Sequence, residues 1–266
     1  MNDNRFYIRQ FHSFSTALAK KYGVNAALIL SYLSYKIQKS TNNYDGKNWF
    51  YITVKDLAQH YPYLGRTAVF EALQRLTRKD GPLITGNYNK KTYDRTKWYA
   101  FKDDDLAQLL GKEPRYFRVE AAEYYGVPEA VLLSNLAYQI TENRKKNPNY
   151  RCHPMSPAKL AEIQPFSRST IQRALKHLVE DKVLLNRSTT DTRLATEYCF
   201  AEREELEDNL AGSKANKVFY DNALVYQGDY EILPAQTRIP NMAGSNPDLA
   251  GSIANMAGSN PNDNTH

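Results

Sequence analysis

The chain has 266 residues, with 35 Lys and Arg against 29 Asp and Glu, 42% apolar residues and two cysteines, enough for two modest domains and too little for a large multidomain machine. Cys152 and Cys199 cannot build a disulfide framework, and no stretch approaches the roughly 18 apolar residues of a membrane span. The opening Met-Asn-Asp-Asn-Arg lacks the basic-then-apolar order of a secretion signal, so a soluble, cytoplasmic protein is expected. Charge is unevenly spread: residues 1–110 carry 17 basic against 9 acidic side chains, residues 111–200 carry 14 against 10, and residues 201–266 carry 4 against 10. A basic body with an acidic tail points to a polyanionic partner for the body, the alternative being a merely solvated basic surface.

Along the chain, one segment is followed by its copy. Phe14–Ile37 laid over Phe117–Ile140, an offset of 103, gives 11 identities in 24 positions, among them Tyr22/Tyr125, Gly23/Gly126 and Tyr35/Tyr138. The match continues with Leu57-Ala58 on Leu160-Ala161 and Pro62 on Pro165. After the loss of one residue, Arg66, Ala72, Leu73 and Leu76 fall on Arg168, Ala174, Leu175 and Leu178, and Tyr99 and Phe101 meet Tyr198 and Phe200. The chain is a tandem duplication of a unit of about 90 to 100 residues.

Each unit reads as four helices and a hairpin. Gly23 and Gly126 suit the residue just past a helix end, and the helices that follow, about Asn25 to Lys39 and Pro128 to Asn143, are apolar almost all round and hence central. Thr53 and Ser156 are N-caps for short helices carrying Leu57 and Leu160. A turn at Pro62–Gly65, or Pro165–Ser167, leads into a longer helix with Val69, Ala72, Leu73 and Leu76, or Ile171, Ala174, Leu175 and Leu178, on one face. That is the spacing of a helix-turn-helix. Strands then begin at Leu83-Ile84 and Val183–Leu185 and end at Trp98–Phe101 and Glu197–Phe200, with polar wing loops between them. The predicted fold is mainly α with small β-hairpins: two tandem winged helix-turn-helix domains, 1–110 and 111–203, an acidic and apolar connecting segment at 204–233, and a disordered tail at 234–266.

The run from Gly86 through Asn89-Lys-Lys and Asp94-Arg-Thr-Lys-Trp-Tyr99, with Tyr22-Gly-Val and Gly46-Lys-Asn-Trp49, resembles the winged-helix replication proteins of phages and related mobile elements. More loosely, the chain is similar to tandem winged-helix plasmid initiators and to the DNA-binding part of lambda-type phage replication initiators. The resemblance covers roughly residues 6 to 200. It implies binding to origin or replication-gene DNA with no metal, cofactor or active site. The second unit departs from the wing pattern, ending Thr196-Glu-Tyr-Cys-Phe, so that motif carries over only to the first. A replicative helicase or its loader is the further partner expected for the C-terminal segment.

The residues themselves suit DNA. The apolar stripe of the second long helix turns Ser169, Gln172, Arg173 and Lys176 outward, with Arg168 at its positive end. Arg can chelate guanine, Gln can chelate adenine, and Ser with a helix N-terminus can hold phosphate. On the first long helix the matching set is Arg66, Thr67, Phe70, Glu71 and Gln74, and Glu71 stands where the second unit has Arg173. A carboxylate beside phosphates is costly unless it accepts from cytosine N4, so this helix is either a base reader or the weaker DNA element, and the charge favours the weaker element. Compensation comes from the first wing, a flexible loop where Lys90, Lys91, Arg95 and Lys97 face only Asp94, with Tyr88 and Tyr93 available to pack on sugars. Arg187 and Arg193 make the second wing a lighter backbone contact, and Arg144-Lys145-Lys146 reads by default as a solvated run.

Enzymatic readings find little support. Gly81–Gly86 has the glycine spacing of a phosphate loop but continues Asn-Tyr in place of Lys-Ser/Thr, the five histidines form no metal or nuclease pattern, and Cys199, aligned with Ala100, reads as a small core residue. In the tail a seven-residue pattern runs three times, as Asn241-Met-Ala-Gly-Ser-Asn-Pro, Asp248-Leu-Ala-Gly-Ser-Ile-Ala and Asn255-Met-Ala-Gly-Ser-Asn-Pro, without making a helical face. Seven codons are 21 base pairs, about two turns of duplex, which leaves two readings open: coding DNA that iterates a binding site, or a linker copied by slippage. The expected function is a non-enzymatic, sequence-specific double-stranded DNA-binding protein of replication. A transcription regulator on the same fold and a winged-helix interaction protein that binds no DNA are the alternatives.

Overall fold

The repeat seen in the sequence returns as a repeat of elements. The computed structural model describes residues 11–103, 110, 114–187 and 195–201, and these hold eight helices and ten strands in four small antiparallel sheets. The connecting segment, the tail with its heptads, and Arg193 lie outside the described residues. The first repeat runs β1 (Phe11–Ser15), α1 (Thr16–Tyr22), α2 (Val24–Gln38), a two-residue hairpin β2 (Asn43–Tyr44) and β3 (Lys47–Asn48), β4 (Phe50–Ile52), α3 (Val54–His60), α4 (Arg66–Leu76), β5 (Leu83–Gly86) and β6 (Lys97–Phe101). The second runs β7 (Pro114–Arg118), α5 (Val119–Tyr125), α6 (Val127–Arg144), β8 (Cys152–Pro154), α7 (Pro157–Ile163), α8 (Arg168–Glu180), β9 (Leu184–Arg187) and β10 (Glu197–Phe200). It has no counterpart of the β2–β3 hairpin among the described residues.

Local chemistry sets the helix limits. Gly23 closes α1 and opens α2 at φ 88°, and Gly126 does the same for α5 and α6 at φ 100°; both have extended ψ, a combination only glycine holds without strain. Thr53 Oγ1 accepts from the Asp56 amide at 3.1 Å and Ser156 Oγ from the Lys159 amide at 3.5 Å, the two N-caps the sequence predicts. Pro128 sits in the first turn of α6, where a missing N–H costs nothing. Val69, Ala72, Leu73 and Leu76 on α4, and Ile171, Ala174, Leu175 and Leu178 on α8, are the buried stripes.

The strands differ from expectation. In place of lone hairpins, each repeat has a three-stranded sheet of the same order, β4-β6-β5 and β8-β10-β9, the short strand before the third helix supplying the extra edge. Cys199 also departs from its reading as a small core residue. It is buried, but β8 lies beside β10 so that Cys152 faces it in register, and the two are joined by a disulfide. Comparison of Cys199 with Ala100 misses this because the partner sits on a strand the sequence pattern does not reveal.

A fourth sheet joins the repeats. β1 and β7, strands that the pattern of four helices and a hairpin does not include, pair antiparallel from Phe11↔Arg118 to Ser15↔Pro114. Ser13 and Tyr116 are equivalent residues at the offset of 103, and they face each other in the middle of this ladder. The ladder therefore reads the same from either end, and its local two-fold relates β1-α1-α2 to β7-α5-α6, as in the interface of a symmetric dimer. α2 packs on β1 as α6 packs on β7, and one apolar cluster runs through both repeats from Leu18 and Leu30 to Leu133 and Leu178.

At this junction two histidines lie in apolar surroundings. His12 on β1 is 6% exposed; its Nδ1 faces the Tyr63 hydroxyl at 2.6 Å, and its ring stacks on His60 at 5.1 Å and meets Phe117 of β7 edge-on. Burial, and then the neighbouring His60, lower its pKa from 6.5 to about 4. Burial and Lys36 lower that of His60 as well. Folded His12 stays neutral down to about pH 4, while in an unfolded chain it binds a proton from pH 6.5 downward. Its contribution is thus fully present above pH 6.5 and is lost as pH falls toward 4. Chemical denaturation at pH 7 and pH 4.5 should show the wild type losing about 2 to 3 kcal/mol more than His12→Gln across that interval.

Candidate nucleic-acid interface

The two long helices have matching faces. From Arg66 to Leu76 and from Arg168 to Leu178, buried and exposed positions alternate in the same order with one exception: Arg75 is exposed and its counterpart His177 half-buried. In α8, Arg168, Ser169, Gln172, Arg173 and Lys176 are all exposed, as the apolar stripe requires. Ser167 caps the helix through the Thr170 amide at 3.2 Å and lies 2.9 Å from the Ser169 hydroxyl. Lys176 reaches Glu180 at 3.5 Å across open solvent, a weak pair; Arg168 and Arg173 make no ion pair among the described residues.

In α4 the exposed set is Arg66, Thr67, Phe70, Glu71 and Gln74. Its N-cap is Gly65, with no side-chain oxygen on the first amides, unlike Ser167 in α8. Arg75 turns away from this face to donate Nη1 to the Tyr22 carbonyl at 2.9 Å, directly over Gly23, where an added Cβ would stand 2.6 Å from it.

The segment between β5 and β6, expected as a flexible wing loop, stands on a packed base. Trp49, Trp98 and Ala100 form a second small core with Ile84 and Tyr88 against them. The β2–β3 hairpin closes it: Tyr44 stacks on Tyr88 at 4.2 Å, and the Trp49 indole donates to the Tyr44 carbonyl at 3.0 Å. Tyr88 also donates to Asp45 at 2.9 Å, and partial burial together with that carboxylate pushes its pKa up. Tyr88 is therefore a packing residue, which corrects its reading as a group free to meet sugars. Asn89 organises the tip: its amide donates to the carbonyls of Asp94 at 2.9 Å and Thr96 at 2.8 Å, and its oxygen accepts the Trp98 indole N–H at 2.8 Å. The Asp94 carboxylate accepts the Thr96 amide, which holds its pKa below the usual range and engages it within its own loop.

That scaffold leaves Lys90, Lys91, Tyr93, Arg95 and Lys97 exposed, Tyr93 at 74%. Lys91 Nζ lies 5.6 Å from the Tyr93 ring. Arg187 is exposed at the end of β9. Arg144 and Lys145 have local roles, donating to the Tyr150 carbonyl at 3.0 Å and to Glu142 at 2.8 Å. The sequence motif that carried the family resemblance thus supplies the aromatic base beneath the β5–β6 segment, and the hairpin and Asn89 are the parts that its spacing alone did not reveal.

Comparison with family models, with curated proteins and with solved structures gives no match to this chain. Among the described residues no group of His, Cys, Asp and Glu could hold a metal ion, and no helix is long and apolar enough to cross a membrane.

Gly86 is the weak point of this small aromatic core. A Cβ there would stand 2.8 Å from the Tyr88 ring and 2.9 Å from Trp49. Gly86→Val should expose the indoles and raise the susceptibility of the β5–β6 segment to proteolysis at Lys90, Lys91 and Arg95. Tryptophan emission should shift to the red, while far-ultraviolet helix content stays unchanged.

Proposed function

We propose that each repeat is a winged helix-turn-helix and that the chain is a sequence-specific double-stranded DNA-binding protein. α3-α4 and α7-α8 are the helix-turn-helix pairs, and the segments between β5 and β6 and between β9 and β10 are the wings. The observation that carries this reading is the outward face of α8. Five polar or cationic residues, two of them arginines without an ion-pair partner among the described residues, project from a helix whose other face is wholly committed to the core. Such a helix loses little on entering a major groove, and Gln172 and Arg173 then meet purine edges while Arg168 and Lys176 approach phosphates. The Asn89-braced wing holds Lys90, Lys91 and Arg95 together, as phosphate contacts or an approach to the minor groove require.

A role in replication of a phage or mobile element rests on the resemblance of the wing segment and on the tandem arrangement. Binding to the element's own DNA, tested by footprinting that includes this gene, separates it from regulation of other genes.

With both repeats on one duplex and about eight phosphates neutralised, log affinity should fall with log salt at a slope of about −7. Arg173→Ala should weaken specific sites by roughly 1 to 3 kcal/mol more than random DNA. Lys90→Ala with Lys91→Ala should weaken all sequences alike and flatten the slope by about 2. Filter binding across a salt series measures all three, and a salt-insensitive complex overturns DNA binding.

A further inference from the structure

Glu71 on α4 is unexplained by packing. It is exposed, and the residue one turn later that would ordinarily pair with it, Arg75, is turned to the Tyr22 carbonyl. No ion pair of Glu71 exists among the described residues. Beside it Phe70 is 45% exposed, an aromatic ring on the solvent side of a helix whose apolar stripe is already complete with Val69, Ala72, Leu73 and Leu76. The repeat places Phe70 and Glu71 on the positions of Gln172 and Arg173, and the burial patterns of the two helices agree at every position but Arg75/His177.

The four side chains have complementary chemistry. Glutamine and arginine offer paired donors and acceptors that suit adenine and guanine. A phenyl ring suits the thymine methyl group, and a carboxylate accepts from cytosine N4. Each helix also sits on its own repeat in the same way, α4 against α2 and α3, α8 against α6 and α7. The β1–β7 ladder, symmetric about Ser13 and Tyr116, therefore presents the two faces in opposite senses.

Building on the DNA-binding reading above, we propose that α4 is a second base-reading helix. It takes a pyrimidine-bearing half-site, thymine at Phe70 and cytosine at Glu71, oriented oppositely to the purine-bearing half-site taken by Gln172 and Arg173. One chain then reads an inverted pair of unlike half-sites. The carboxylate that makes α4 a poor phosphate binder is its specificity determinant, and the helix is not simply the weaker element.

Selection of the full-length chain from a random duplex pool tests this, run in parallel with the double variant Phe70→Gln, Glu71→Arg, whose changes lie on the surface. The wild type should enrich an inverted, unlike pair, and the variant should convert the pyrimidine half into a copy of the purine half, giving a palindrome. Affinity of the variant for the wild-type site should fall roughly tenfold or more. Replacing the thymine at the Phe70 position by uracil, which removes only the methyl group, should weaken the wild type and leave the variant unaffected.

Three results overturn the proposal. The variant binds every duplex more tightly with no change in selected sequence, so that α4 meets only phosphates; or neither affinity nor sequence changes, so that α4 stands off the DNA; or the half-sites emerge in direct orientation. If the wild type enriches no sequence while still binding duplexes, base reading by both helices fails. If it binds none, DNA binding itself fails and this inference with it.

Discussion

The β1–β7 ladder is the constraint on which the rest of the molecule depends. Five residues from each repeat, centred on an equivalent pair, replace what would otherwise be a loose tether between two duplicated units. Because the strands lead directly into α1 and α5, the ladder sets where each four-helix set begins. Phe14 and Phe117, both buried, carry the apolar core from one repeat to the other with ring centroids 6.2 Å apart. A covalent link between the copies makes a symmetric pairing independent of protein concentration, which two separate chains could not achieve.

Within that frame the copies have diverged in how they hold their sheets. The first inserts the β2–β3 hairpin and stacks Tyr44, Tyr88, Trp49 and Trp98 beneath its basic loop. The second lacks both tryptophans and joins β8 to β10 through Cys152 and Cys199. The long helices diverge in the same manner: their buried stripes are interchangeable, whereas their exposed residues exchange amide and guanidinium for ring and carboxylate. Burial has held the fold constant while exposed positions were left to vary.

Much of this architecture was legible because it is local. A helix shows itself through residues three and four apart, a cap through one side chain and the amide three residues on, and a duplication through its own repetition, so the helices and the faces of α4 and α8 follow from spacing. The short strands did not. β1, β4, β7 and β8 have three to five residues each, and β1 finds its partner about a hundred residues away, so nothing within a short window marks them. The disulfide and the buried His12 depend on those strands and were hidden with them. The wing motif was visible as a pattern, but which of its tyrosines packs and which faces solvent is decided by the hairpin: Tyr88 is covered by Tyr44, and Tyr93 is not.

The bridge between Cys152 and Cys199 spans 47 residues of sequence and encloses both α7 and α8 in a closed covalent ring. Tension drawn along the backbone of the second repeat passes from strand to strand through sulfur and leaves the enclosed helices slack. In the first repeat the same tension runs through α3 and α4 themselves and is resisted only by their packing. A pull on the chain would thus unravel the Phe70 helix before the Arg173 helix, so that the two repeats differ in mechanical endurance as well as in chemistry.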